Sequence, residues 1–511
     1  MDNKNVVVGK IVSAVSGSMF LSIIIKVIGF VKQATIAAVY GSTFETDIFF
    51  MASEFLNNIA VALFSSLTIV LVPLYLKKKN AGDNLNEYVT KLLISFSVVA
   101  IAIMILFELG TTVLAKVLAP SYSVIESRRL IVELRIMTPA LLFMCLVYIF
   151  KAVLDAEKNF LPSKSIGGIQ SIVIIALSVF GAGKYGITAL SVGFLLATVI
   201  EVVFLFGFVK KYYKPIKKWK LFDKDVVDII KQMIPLCIGS AIADISVIVD
   251  KIIATGLGDG IVSALAYGQT LKSFVVAVVV TTTISVVFVY LSDFVNLGKI
   301  EELRDLIDRG ICVLTLVLIP ISIVSFLCAE DIVLIIFGRG NFDSTAVGHT
   351  ANVLRGYAIG FIPLAIRSTL MKVHYAYSDS LNPLINGIIT ICCNIVLSVI
   401  FSRIMGVFGI VIATSCSYMV SMVLMFCSVR KHISDYRPTK LWCTVYKGMP
   451  AIIVCLLIAN LINEFSNWNS LVDFALTAII SFAIYIFILK ILRFEEIDYL
   501  ILKVRKKRRK D

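Results

Sequence analysis

The chain is predicted to be an all-α membrane protein of about fourteen transmembrane helices. The predicted arrangement is two pseudo-symmetric six-helix lobes around a central cavity, followed by two C-terminal helices. Three observations predict this. Of 511 residues, 59% are hydrophobic and only 16% charged, with a mean hydropathy of +0.94. Soluble domains carry about 25% charged residues, and lipid tails supply the missing apolar surroundings. Apolar runs of about 20 residues, enough to cross a bilayer, recur along the whole chain. The pattern of loops and helices also repeats after roughly 215–221 residues.

In order, the predicted spans are 11–33, 46–75, 89–118, 131–154, 163–183, 186–209, 229–255, 262–292, 310–336, 345–373, 383–402, 406–428, 447–464 and 471–492. Lys4 and Lys10 before the first run resemble a signal-peptide start. The run continues past Ile25 and further spans follow, so it reads as the first helix. Between spans, one set of loops is basic: Lys77 to Lys79, Lys158, Lys210 to Lys220, Lys299 with Arg304 and Arg309, and Arg430 to Lys440. The alternate loops are short and glycine-rich, around Gly41, Gly181 to Gly186, Gly256 to Gly260 and Gly338 to Gly340. The positive-inside rule places the basic set in the cytoplasm, with both termini. The basic tail Lys503 to Lys510 agrees.

The repeat matches Val72-Pro73-Leu74-Tyr75-Leu76 to Val287-Phe288-Val289-Tyr290-Leu291, and Asp155-Ala156 to Pro162 with Tyr375-Ala376 to Pro383. Each unit holds six spans, so the halves insert the same way up, related by an axis along the membrane normal. The expected organisation is an N-terminal lobe 1–209, a basic linker 210–228, a second lobe 229–428, helices thirteen and fourteen over 429–492, and a tail 493–511. Two such lobes rocking about a cavity are a transporter architecture.

The net charge of +14 sits in runs flanking apolar segments, which argues against a nucleic-acid site. The ten cysteines lie in or beside apolar runs, show no CxxC spacing, and read as small packing residues. Three histidines, His349, His374 and His432, argue against a His-rich metal site.

Ionisable groups inside spans cost several kcal/mol unless they face water, a partner or a cavity. Here they are Lys26 and Lys32 in the first span, Asp47 and Glu54 in the second, and Lys151 in the fourth. Asp244, Asp250 and Lys251 fall in the seventh, Lys272 in the eighth, and Arg355, Arg367 and Lys372 in the tenth. Lys26 and Lys32 stand about 120° from alignment on a helix, whereas Asp47 and Glu54 are nearly aligned and could counter them. Lys26 and Lys272 lie deepest; Lys32, Lys151 and Lys372 are close enough to helix ends to snorkel. A cationic cavity of this kind suits an anionic head group, diphosphate above all. Asp250 could also bind a coupling cation.

Several segments carry a family resemblance. Lys26-Val-Ile-Gly-Phe-Val-Lys32, Tyr40-Gly41 and Thr46-Asp47-Ile-Phe49 open the series. Ser263-Ala-Leu-Ala-Tyr267, Ile336-Phe-Gly-Arg-Gly-Asn-Phe342, then Tyr375-Ala376, Asp379, Pro383, Asn394 and Gly406-x-x-Gly409 follow in order. Over roughly residues 10–430 the sequence resembles the MurJ (MviN) family of lipid II flippases, within the multidrug/oligosaccharidyl-lipid/polysaccharide exporter superfamily. The resemblance implies a V-shaped cationic cavity and a polyprenyl-diphosphate-linked saccharide as substrate. It implies substrate contact at Lys26 and Lys32, with Asp47 matching the family's second-helix acid and Gln269 standing at its eighth-helix Arg position; Glu54, Lys272 and Arg367 join these candidate substrate-binding residues by their place within the spans. It also implies a sodium site at Asp250, Asn394, the Ile410 carbonyl and Thr414, with Ser398 where some members have a second acid. No other cofactor is expected beyond a coupling sodium ion or proton, and the protein is expected to be monomeric.

The sequence departs from that pattern. Asn57-Asn58 stand near the family's second-helix Arg pair, and Gln269 replaces an eighth-helix Arg, with Lys272 one turn on. A capsule, O-unit or teichoic-type saccharide is therefore the competing substrate. A cation antiporter would need a mainly acidic cavity. An enzyme would need a reactive cluster on a wet loop, and neither outer loop of any size, 119–130 or 337–345, offers one.

Overall fold

The computed structural model describes residues 2–216, 223–434, 436, 440–441, 446, 450, 453–454, 457 and 470–491. All regular structure among these is helical. In chain order the helices are α1 (Asp2–Tyr40), α2 (Phe44–Ala81), α3 (Leu85–Leu118), α4 (Val124–Met137), α5 (Ala140–Ala156), α6 (Phe160–Tyr185), α7 (Thr188–Val209) and α8 (Lys224–Ala254). They continue with α9 (Ile261–Val275), α10 (Thr282–Asn296), α11 (Ile300–Leu327), α12 (Ala329–Phe337), α13 (Ser344–Ala376), α14 (Leu381–Val429) and α15 (Ser470–Ile491). Nine helical stretches among the described residues, with α4–α5 and α9–α10 each counted as one, are long and apolar enough to cross a bilayer. The chain is a multi-pass membrane protein. The thirteenth predicted span falls largely outside the described residues, as do the basic tail and part of the 210–228 linker.

Local chemistry sets the boundaries. Thr43 caps α2 in a reciprocal arrangement with Thr46, and Ser123 does the same for α4 with Glu126; these are the side chains that satisfy first-turn N–H groups. The predicted span 131–154 is two helices, broken at Thr138-Pro139, where proline has no N–H to continue the ladder. The predicted span 310–336 likewise divides at Cys328 into α11 and α12. A π-helical stretch, Val276–Thr281, joins α9 to α10. α14 joins the two predicted spans 383–402 and 406–428 across Gly406, which has φ 59° and ψ −137°.

The repeat is written in the backbone. Non-glycine residues with positive φ occur only at Lys158 and Ser378 among the described residues, in the turns from α5 to α6 and from α13 to α14. The two turns share one hydrogen-bond pattern. Asn159 N donates to Leu154 O at 2.8 Å, and Asp379 N donates to His374 O at 2.9 Å. Gly186 and Gly406 share φ near 58° and ψ near −139°. Gly82 and Gly298 close the same turn after α2 and α10. Each pair is separated by the offset the sequence repeat predicts.

Packing groups the chain into two compact units, one reaching to Ser263 and including Gly340–Phe342, the other holding the remainder. In the first, α1 packs on α6, and α2 packs on α5 and α8. In the second, α13 packs on α11 and α14, over a core that includes Leu303, Ile307, Leu370, Val373, Met425 and Val429. Side chains such as Leu109, Phe180, Val203 and Phe487 point outward, as the lipid-facing surface of a spanning helix requires.

Candidate functional site

In the first unit, a cavity of about 470 Å³ opens among α1, α2, α5, α6 and α7. Its polar lining includes Lys26 from α1, Asn57 from α2, Tyr148 and Lys151 from α5, Lys164 and Gln170 from α6, and Glu201 from α7. Ile25, beside Lys26, packs against Gly167 and Gly168 of α6. Lys151 holds its ammonium 5.7 Å from the centroid of the Tyr148 ring. Three lysines thus face one buried carboxylate, Glu201 (5% exposed). Lys32 lies higher on α1, half-buried, within electrostatic reach of Glu54 and Glu201.

The two acids of α2 do other work. Asp47 is 2% exposed, and both its oxygens are used: Gly260 N donates to Oδ2 and Ser263 N to Oδ1, each at 2.7 Å. These are first-turn donors of α9, so Asp47 caps that helix from a distance. Ser42 adds a hydroxyl bond to Gly260 O at 2.7 Å. Glu54 makes an ion pair with Lys251 of α8. The alignment of Asp47 with Glu54 therefore does not turn both toward Lys26 and Lys32. Asn341 closes the end of α1, donating its N–H to Ala38 O at 2.9 Å and its amide to Val39 O at 2.6 Å.

In the second unit, Lys272 and Arg367 converge on tyrosines. The Lys272 ammonium lies 4.3 Å from the Tyr357 centroid and 5.9 Å from that of Tyr418; the Arg367 guanidinium lies 5.9 Å from Tyr418. Neither cation has an ion-pair partner among the described residues, and the buried Arg367 Nε has no hydrogen-bond partner there. Gln269 is half-buried one turn before Lys272. The arrangement follows from Gly356 and Gly360 on α13, which bring that helix against Val411 and Ser415 of α14; added Cβ atoms would sit 2.8 Å from Val411 Cβ and 2.5 Å from Ser415 Oγ. This is the small-xxx-small approach of membrane helices, and the Ser415 hydroxyl seals it by donating to Gly356 O at 2.7 Å.

Three of the four expected cation ligands also meet in the second unit. Asn394 Nδ2 donates to Thr414 Oγ1 at 3.1 Å, and Thr414 Oγ1 donates to Ile410 O at 3.2 Å. Asn394 is 3% exposed, and its Oδ1 has no partner among the described residues. Ser398, fully buried, accepts a longer contact from Asn394 Nδ2. Asp250 stands on α8 in the first unit.

Sequence reasoning passed over Lys164, Glu201, Tyr357 and Tyr418. Glu201 was the most legible of them, a lone acid in the apolar run 186–209.

Comparison with known proteins gives a consistent picture. A family model described as lipid II flippase MurJ matches residues 36–480. A probable lipid II flippase MurJ of Rickettsia prowazekii is 26% identical, covering 81% of this chain and 83% of its own. One from Buchnera aphidicola is 23% identical over 88% and 90%. Among solved structures, a lipid II flippase MurJ in an inward closed conformation superposes with a TM-score of 0.80 at 21% identity, covering 93% of this chain and 98% of that one. An inward-facing multidrug resistance transporter of the MATE family gives 0.65 at 14% identity, covering 81% and 95%. With one family model spanning α2 to α14 and a fold shared across nearly the whole length, the chain belongs to the lipid II flippase MurJ family.

Proposed function

We propose that the protein carries a polyprenyl-diphosphate-linked saccharide of the lipid II type from the cytoplasmic to the outer leaflet by alternating access, without covalent chemistry. The observation that carries this reading is the first-unit cavity, where Lys26, Lys151 and Lys164 outnumber Glu201. A diphosphate cannot enter hydrocarbon bare, since the desolvation cost of an isolated ionised group is roughly tens of kcal/mol. Lysine ammoniums replace its water with charge-assisted hydrogen bonds. Arg367 and Lys272 supply further cations in the second unit. The polyprenyl tail stays in lipid throughout.

The basic loops face the cytoplasm, with both termini, and the protein works as a monomer. A coupling sodium ion binds at Asn394 Oδ1, Ile410 O and Thr414 Oγ1, oxygen ligands that suit a hard cation; the orphaned Asn394 Oδ1 supports this assignment.

The test is rescue of a bacterium depleted of its own lipid II flippase. The wild-type chain restores growth, whereas Lys26→Gln/Lys151→Gln/Lys164→Gln accumulates in the membrane, melts normally and does not rescue. Rescue by that triple variant, or failure of the wild-type chain to rescue, overturns the reading.

A further inference from the structure

Two of the chain's three histidines, distant in sequence, meet at the basic-loop end of the second unit. His374 lies in the last turn of α13 and is fully buried; His432 follows α14. His374 Nδ1 and His432 Nε2 each lie 2.9 Å from Asp379 Oδ2. The three ligand atoms fall within 4.8 Å of one another.

Each group is held in place by a contact behind it. Asn382 orients the Asp379 carboxylate, its N–H donating to Oδ1 at 3.2 Å and its amide to Oδ2 at 2.6 Å. The His432 ring stacks on Tyr377 at 4.5 Å. His374 Nε2 lies 2.8 Å from Ser428 Oγ, and that hydroxyl donates its only proton to Met425 O at 3.1 Å. Ser428 can thus accept from His374 Nε2–H while donating to the carbonyl, an arrangement that leaves Nδ1 of a neutral ring free to act as a ligand. In that tautomer the Nδ1 lone pair and the Asp379 carboxylate oxygen converge at 2.9 Å with His432 Nε2 beside them, a donor set that a cation can bridge.

The turn itself does not require these residues. Its counterpart in the first unit makes the same bond with Leu154 and Asn159 in the places of His374 and Asp379. The histidine and the acid are additions to a turn that forms without them.

We propose that His374 Nδ1, Asp379 Oδ2 and His432 Nε2 bind a divalent transition-metal ion of the zinc class, tying the α13–α14 turn to the far end of α14. Two imidazoles and a carboxylate with one open position form a known donor set for such ions, at about 2.0–2.2 Å per bond. A regular tetrahedral edge is roughly 3.3 Å with those bonds, so the 2.9 Å contacts open by a few tenths of an ångström on binding. The proton that His432 Nε2 shares with Asp379 moves to Nδ1, and His374 keeps its own on Nε2, bonded to Ser428. That second bond fixes the ring, as partners of metal-bound histidines do.

The experiment uses the tag-free full-length protein in detergent, stripped with EDTA and titrated with Co²⁺, then Zn²⁺. One Co²⁺ per chain with the intense visible absorption of a four-coordinate ion, displaced by Zn²⁺, is the expected result. Asp379→Asn and His432→Gln should each weaken binding by at least about tenfold, while His349→Gln leaves it unchanged. Melting curves without metal confirm that each variant is folded. Absence of Co²⁺ uptake, or uptake that both variants preserve, overturns the proposal; a proton on His374 then accounts for the short contact.

Discussion

Replacing Asp47 tests whether this acid serves the substrate or the scaffold. Its two oxygens accept from Gly260 N and Ser263 N in a site 2% exposed. Asp47→Ala orphans both donors. Each costs about 1–3 kcal/mol when buried without a partner, so the expected loss is about 2–6 kcal/mol, with the lost attraction to a helix N-terminus added. Asp47→Asn keeps one acceptor and sets an amide against the other N–H, so it should lose about half as much. Lys26→Gln touches a wet cavity wall and should leave stability within about 0.5 kcal/mol of wild type. Thermal unfolding of the detergent-purified protein reads all three, and the melting temperatures should rank Lys26→Gln with wild type, then Asp47→Asn, then Asp47→Ala. If Asp47→Ala melted with wild type and lost only transport, the capping argument would be wrong and Asp47 would belong to the substrate path.

Other outcomes follow from the same geometry. Glu201→Gln removes the one acid lining the first-unit cavity; binding of a short-chain polyprenyl diphosphate, measured by calorimetry, should tighten severalfold at low salt, and the gain should shrink as ionic strength rises. Gly360→Leu drives a side chain into Ser415 and should destabilise the protein by about 1–3 kcal/mol or more, seen as a lower melting temperature. Asn394→Ala should abolish any sodium-induced rise in melting temperature while leaving the sodium-free melt within a few degrees. Tyr418→Phe keeps the ring beneath Lys272 and Arg367 and should transport near normally, whereas Tyr418→Leu loses cation–π contacts of about 0.5–2 kcal/mol each and should slow transport severalfold in the rescue assay.

Most of the fold was legible because a bilayer imposes one rule, that apolar runs of sufficient length must be helices. The breaks were less so. Pro139 marked the division of α4 from α5, yet Pro73, Pro235, Pro320 and Pro363 all lie inside continuous helices, since in membranes neighbouring groups can re-satisfy the freed carbonyl. For the candidate site, the intramembrane lysines stood out by their cost, but their partners did not. Periodicity placed Asp47 and Glu54 on one face; it could not say that the N-terminus of α9 would take up one and Lys251 the other, because both partners lie about 200 residues away. Tyr357 and Tyr418 were invisible for a different reason. A tyrosine in an apolar run reads as an ordinary packing residue, and only the folded structure shows these two beside cations.

The repeat also separates charge that is available from charge that is spent. Gly41 and Gly260 are equivalent left-handed turns, and a lysine precedes each by the same interval: Lys32 before the first, Lys251 before the second. Equivalent positions have met different fates. Lys251 is 6% exposed and closed into an ion pair with Glu54, and a buried pair of this kind projects little field beyond itself while costing much if either partner is removed. Lys32 has Glu54 and Glu201 only within electrostatic reach. Below it on α1, Lys26 stands exposed on a cavity wall with Lys151 and Lys164. An anion is drawn to the cations that remain uncompensated, so conservative exchange should separate the two classes: Lys251→Gln strands Glu54 and lowers the melting temperature, while Lys26→Gln spares the fold and lowers transport.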